Sequence, residues 1–165
     1  MEHLYAPWRE EYIHEKRDGC VFCNISQNPE LDEESGVLYR DDICFVVMNK
    51  YPYTPGHFMV IPHKHTDKLE ELTSSEWLHI SNQVQNGVKL LKNTFETQAV
   101  NIGMNIGADA GAGIAEHLHY HIVPRWYRDT NFITTIGDSR IYSVDFEKIY
   151  KKLLASAQEY FERGI

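Results

Sequence analysis

Apolar residues gather in five short runs, at about 36–40, 43–49, 57–62, 99–106 and 117–123, rich in β-branched and aromatic side chains. Asp41-Asp42, the stretch from Tyr51 to Gly56 and a glycine-rich segment separate them. This spacing predicts five strands, and because helices do not alternate regularly with them the sheet is expected to be antiparallel. A different period takes over between the third and fourth runs. Trp77, Ile80, Val84, Val88, Leu91 and Phe95 recur at three and four residues, which predicts one long helix lying on the sheet, with Thr73-Ser74-Ser75-Glu76 offering caps ahead of it. Ile149, Leu153 and Tyr160 mark a last helix at about 143–163. The expected class is α+β: an antiparallel five-stranded sheet with a long helix on one face and a C-terminal helix.

With 165 residues and 42% hydrophobic content, the chain is expected to form a single domain over 1–165 with a substantial core. Residues 1–19 read as a polar arm whose Tyr5, Trp8 and Tyr12 pack on something, such as a second subunit. No run of about 18 apolar residues occurs and the N-terminus is no secretory signal, so no membrane partner and a cytoplasmic location are expected. The net charge of −8 argues against a nonspecific nucleic-acid binder, which needs a basic stripe. A small phosphate-bearing ligand stays open, because histidine, arginine and backbone N–H groups can make a locally positive site on an acidic protein.

The fifth run carries the chemistry. In Glu116-His117-Leu118-His119-Tyr120-His121-Ile122-Val123, an extended backbone would put His117, His119 and His121 on one face and Leu118, Tyr120 and Ile122 on the other. Three imidazoles together need three sets of hydrogen-bond partners. The polar face of a half-exposed strand and a catalytic metal site both satisfy the pattern as well. Just ahead, Asn105-Ile106-Gly107-Ala108-Asp109-Ala110-Gly111-Ala112-Gly113 is a run of small residues in which Gly111 and Gly113 would let the backbone approach an anion.

Cys20 and Cys23, spaced by two residues, suit a pair of zinc thiolates; a redox pair and plain core cysteines are the alternatives. The redox motif wants a helix opening after a strand, and Asp18-Gly19 gives no such context. Cys44, inside an apolar run, reads as core.

The triad with Pro124-Arg125 beyond it resembles the signature of the histidine triad superfamily of nucleotide hydrolases and nucleotidyl transferases, over nearly the whole chain. The stretch from Asn49 to Pro62 resembles that family's strand, turn and strand bearing the nucleoside pocket. Ala6-Pro7-Trp8-Arg9, Ala115-Glu116, Pro124-Arg125-Trp126 and the segment Asp129-Thr130-Asn131-Phe132-Ile133-Thr134 are similar to the bacterial diadenosine tetraphosphate phosphorylase branch. The resemblance implies a HIT-like fold, a homodimer or tetramer, and a dinucleoside polyphosphate as substrate with inorganic phosphate as co-substrate. It implies His119 as nucleophile, His121 and Asn105 as hydrogen-bond donors to phosphate, and Asn49 at the ribose. It also implies a structural zinc held by Cys20, Cys23, His65 and His117, with His63 an alternative to His65.

Asn49 also reads as a plain turn residue. Arg125 and Arg140 either bind distal phosphates or are ion-paired surface groups. One departure bears on the substrate: where the wider superfamily places a glutamine and a hydroxyl residue before its triad, this chain has Gly113-Ile114-Ala115. Without that hydroxyl an amine or alkoxide would leave poorly, whereas a phosphate, with a second pKa of about 6, leaves readily. A nucleoside phosphoramidate hydrolase and a noncatalytic zinc-stabilised nucleotide-binding protein are the competing readings.

Overall fold

A computed structural model describes residues 19–130, 134, 136 and 145–162. Five strands, β1 (Val37–Arg40), β2 (Cys44–Met48), β3 (Phe58–Pro62), β4 (Ala99–Gly103) and β5 (Tyr120–Arg125), form one sheet in the order β1-β2-β3-β5-β4. Every neighbouring pair is antiparallel. Among the described residues four full α-helices accompany it: α1 (Val21–Gln27), α2 (Asp32–Ser35), α3 (Ser74–Phe95) and α4 (Phe146–Glu162). The N-terminal arm and Arg140 lie outside the described residues.

β2 and β3 are buried along their whole length, which is why they read as unbroken apolar runs. The period of two still divides their side chains. Cys44, Val46, Met48, Phe58 and Val60 face α3 and α4, in one cluster with Ile80, Leu90, Leu91, Leu153 and Phe161. Phe45, Val47, Met59 and Ile61 face the other way and pack with Phe22 of α1. The long helix and the C-terminal helix therefore share one face, and the second face is left to α1 and the site.

Thr73 and Glu76 form a reciprocal capping box, with Thr73 N–H on Glu76 Oε2 at 2.7 Å and Glu76 N–H on Thr73 Oγ1 at 3.2 Å. The helix then runs 22 residues despite Gly87 in its interior. A methyl there would meet Ile122 Cδ1 at 2.6 Å and Phe58 Cε2 at 2.9 Å, so the glycine is what lets α3 lie this close to β3 and β5.

Two strands depart from their expected limits by more than one residue. The fifth begins at Tyr120 rather than His117 and continues through Pro124 to Arg125. Its pairing with β3 covers only Phe58 to Val60, and beyond it Leu118 N–H turns to Thr66 O instead. Pro124 is tolerated because it pairs with edge strand β4, past the end of the β3 pairing. The fourth strand ends at Gly103, short of the expected 106.

Gly87→Ala should gain helix propensity and still lose stability, because Phe58 and Ile122 are fully buried and have nowhere to move. The expected net loss is about 1–3 kcal/mol by urea unfolding; an unchanged midpoint would contradict this account of the packing.

Candidate active site and metal cluster

The three histidines of the 117–121 segment lie on the α1 side of the sheet, all buried, at 1%, 5% and 9% exposure in chain order. Hydrogen bonds fix what each ring presents. His119 Nδ1 lies 2.8 Å from the carbonyl of His117. A carbonyl only accepts, so Nδ1 carries the hydrogen and Nε2 keeps its lone pair. Burial lowers the His119 pKa against a partial offset from that same hydrogen bond, which favours the neutral ring.

His121 is set by a residue that sequence reasoning did not assign. His57, fully buried at the end of the turn into β3, accepts the Tyr53 backbone N–H on Nδ1 at 3.1 Å. Its Nε2 must then hold the hydrogen, which it donates to His121 Nδ1 at 2.9 Å. His121 in turn is left with its hydrogen on Nε2. A lone-pair nitrogen on His119 and an N–H on His121 thus stand on rings whose centroids are 4.8 Å apart. Burial, then the neighbouring His119, lowers the His121 pKa to about 4; burial, then His121 and His119, lowers that of His57 to about 3. The only signal for His57 in the sequence is a histidine closing the Pro55-Gly56 turn, opposite a triad that pairs with β3 through Met59 and His121.

His117 turns elsewhere. Its Nε2–H donates to Pro62 O at 2.8 Å, leaving Nδ1 3.4 Å from Cys20 Sγ and 3.7 Å from Cys23 Sγ. His65 Nδ1 lies 3.1 Å from Cys23 Sγ, and the four ligand atoms are all within 4.8 Å of one another. Tetrahedral zinc, with bonds of about 2.3 Å to sulfur and about 2.0–2.1 Å to nitrogen, puts such ligands roughly 3.6 Å apart. The set fits a metal ion. His63 is not part of it: Ser26 Oγ donates to its Nδ1 at 2.7 Å and its Nε2 donates to Asp41 O at 2.8 Å. The cysteine pair opens a helix, α1, but among the described residues no strand leads into it, and both thiols face histidines. Burial, then Cys20, pushes the Cys23 thiol up to about 11 in the absence of a cation. Cys44 is a buried core residue, its thiol pushed up by burial.

The remaining candidates are placed less directly. Asn49 Oδ1 accepts the Tyr51 N–H at 2.8 Å, the turn role, while its Nδ2 lies 3.5 Å from His57 Nε2. Asn105 is half-buried just past β4. Gly107 and Gly111 have φ of 83° and 89°, a conformation that favours glycine, and the Gly111 N–H is engaged by Ala108 O at 2.9 Å. Gly113 is exposed on the same loop, and Ile114 packs on the α1-side apolar cluster. Arg125 forks onto Asp129 at 2.5 and 2.8 Å and reaches Asn101 Oδ1 at 2.8 Å, the ion-paired arrangement. Phe22, between the two cysteines, walls His119 with ring centroids 5.2 Å apart; its place in the motif gave no hint of that.

A buried histidine with a free Nε2 lone pair beside a fixed Nε2–H defines a site for nucleophilic attack on a phosphoryl or acyl centre. The chain belongs to the HIT domain family, which it matches over residues 30–127. It is 39% identical over 149 residues to the AP-4-A phosphorylase of Mycobacterium tuberculosis (strain CDC 1551 / Oshkosh), spanning 86% of this chain and 76% of the relative. It is 36% identical over 91 residues to the asymmetrical bis(5'-nucleosyl)-tetraphosphatase of Schizosaccharomyces pombe, 55% of this chain and 50% of that protein. Among solved structures, a zinc-bound histidine triad family protein from Mycobacterium smegmatis superposes with a TM-score of 0.70 at 25% identity, covering 86% of this chain and 94% of that one. Among the described residues no helix is long and apolar enough to cross a membrane.

The depressed histidines, His121 and His57 most strongly, make stability pH-dependent. Free imidazole protonates near pH 6.5, whereas His121 and His57 stay neutral in the fold down to about 4 and about 3. Below pH 6.5 the unfolded chain binds protons that the folded chain refuses, so stability falls with pH until the folded values are passed. The thermal midpoint should decline from pH 6.5 to 4, less steeply in His57→Gln. Parallel profiles for the two proteins would remove His57 from the account.

Proposed function

We propose that this protein cleaves dinucleoside polyphosphates such as diadenosine tetraphosphate, with inorganic phosphate as acceptor, through a nucleotidyl-histidine intermediate on His119. The observation that carries the reading is the His119 Nδ1–H bond to the His117 carbonyl, which leaves Nε2 as a buried, unprotonated nucleophile. Similarity to the mycobacterial phosphorylase and the yeast tetraphosphatase supports the substrate class.

His119 Nε2 bonds to the α-phosphorus as the bridging P–O bond breaks, and the rest of the substrate leaves as ATP. A phosphate oxygen then attacks the same phosphorus, the N–P bond breaks and ADP is released. His121 Nε2–H, aimed by His57, donates to a phosphate oxygen as charge develops, with Asn105 in the same role. Asn49 holds the ribose. Gly111 and Gly113 shape the loop beside the phosphates, and Arg125 acts through its bond to Asp129, framing the end of β5. Ile114, apolar where a hydroxyl would serve an amine leaving group, supports the polyphosphate over a phosphoramidate.

Zinc fits Cys20, Cys23, His65 and His117, and when bound it supplies a structural cross-link between α1, the segment after β3 and the triad segment. Thiolate ligation needs a reducing compartment, which supports a cytoplasmic location. The outer edge of β4, exposed and free of lysine and proline, with Ile102 at 55% exposure, supports pairing with a second copy into a homodimer.

Purified protein given diadenosine tetraphosphate and phosphate should yield ADP and ATP, and His119→Ala should lose that activity by roughly a thousandfold or more. AMP with ATP would make water the acceptor; an untouched substrate would defeat the reading and bring phosphoramidates forward. Native mass spectrometry before and after chelation should show two chains per particle and one zinc per chain, and a lower thermal midpoint once the metal is gone. A midpoint indifferent to chelation would contradict the structural role.

A further inference from the structure

Tyr53 is an aromatic ring with two different faces. One covers the buried pair His57 and His121, with centroids 4.6 and 5.4 Å away and interplanar angles of 34° and 38°. The residue as a whole is nevertheless 44% exposed, so its outer side stands open. The turn that carries it is tightly held. Tyr53 N–H is bonded to His57, the buried Thr54 Oγ1 donates to Pro124 O at 2.9 Å, and Gly56, with a φ of 86°, sits under the Phe95 ring. Pro52 and Pro55 flank it. A ring fixed this way loses little entropy on meeting a planar ligand.

Its position along the site indicates which ligand. Ring contacts run in the order Phe22, His119, His121, Tyr53, with steps of 5.2, 4.8 and 5.4 Å. Phe22 closes one flank of the nucleophile. The open side of Tyr53 ends this row of rings beyond His121, at the opposite end from Phe22, so it borders the site where a departing group can meet it.

Resting on the dinucleoside polyphosphate reading above, we propose that the outer face of Tyr53 is a stacking platform for the nucleobase of the leaving nucleotide. It is a second nucleoside subsite that distinguishes dinucleoside polyphosphates from nucleoside polyphosphates. The Tyr53 backbone sets the His57 tautomer whatever the side chain, so the ring can be altered while that hydrogen bond is kept.

Two substrates isolate the effect. Diadenosine tetraphosphate and adenosine 5'-tetraphosphate offer the same α-phosphorus, but the second leaves tripolyphosphate, with no base to stack. In Tyr53→Leu the KM for the dinucleotide should rise about tenfold, the scale of one base–aromatic stack, while kcat and both constants for adenosine tetraphosphate stay near wild type. Tyr53→Phe should behave as wild type with both. Equal losses on the two substrates would make Tyr53 only a cover for the histidines and overturn the proposal, as would no change on either. Calorimetric binding of both nucleotides to His119→Ala, with and without Tyr53→Leu, separates this question from turnover. If the wild-type protein cleaves neither nucleotide yet the dinucleotide binds more tightly in a Tyr53-dependent way, the reaction assigned above fails and the subsite stands. Without that margin in binding the subsite fails.

Discussion

His117 holds the site together, because a neutral imidazole has one donor and one acceptor and here each is committed to a different part of the fold. Its Nε2–H is tied to the last residue of β3, its Nδ1 faces two thiols from the N-terminal side of the sheet, and its backbone carbonyl takes the His119 hydrogen. Turning this ring would leave the Pro62 carbonyl without its partner and open the cysteine–histidine cluster. The nucleophile would feel both changes, since the carbonyl that sets its tautomer belongs to the same residue. The metal ligation and nucleophile orientation proposed above would therefore belong to one structural unit, carried by two histidines two positions apart.

The sheet makes this unit affordable by separating its faces. Side chains of even number in β2 and β3 pack against α3 and α4, and those of odd number face α1. Ile122 belongs to the first set and His121 to the second, so the strand that anchors the helices also presents the chemistry. Gly87 matters at this distance because the helix it admits lies directly on Ile122, back to back with His121.

Much of this was legible in the sequence because it depends on local period. Alternating and three-four patterns gave the five strands and α3, Thr73-Ser74-Ser75-Glu76 offered caps for that helix, and the spacing of the triad put its three histidines on one face. The joining of Cys20 and Cys23 to His65 and His117 came from family resemblance. His63 and His65, two residues apart, could not be separated that way; Ser26 and the Asp41 carbonyl, from two other segments, occupy His63. His57 was likewise hidden, since its role exists only once β3 and β5 are paired. The beginning of β5 escaped for a related reason. His117 and His119 have the period of a strand, but the pairing with β3 stops at Tyr120 and β4 ends opposite His121, and Leu118 bonds to Thr66 instead. The fork of Arg125 with Asp129 was visible as a four-residue spacing, with nothing local to choose it over a phosphate.

The chemistry of the leaving group follows from how dry the site is. Burial disfavours imidazolium, so in the proposed reaction His121 would act as a neutral N–H donor and not as a strong acid. A donor of that kind stabilises charge on a phosphate oxygen without surrendering a proton. An amine or alkoxide needs the proton itself, and the stretch Gly113-Ile114-Ala115 ahead of the triad carries no side-chain hydroxyl to relay one. A polyphosphate, whose terminal ionisation lies near pH 6, needs none. A weak acid at His121 and the apolar residue before the triad therefore make the same demand of the substrate: it must leave as an anion already stable in water.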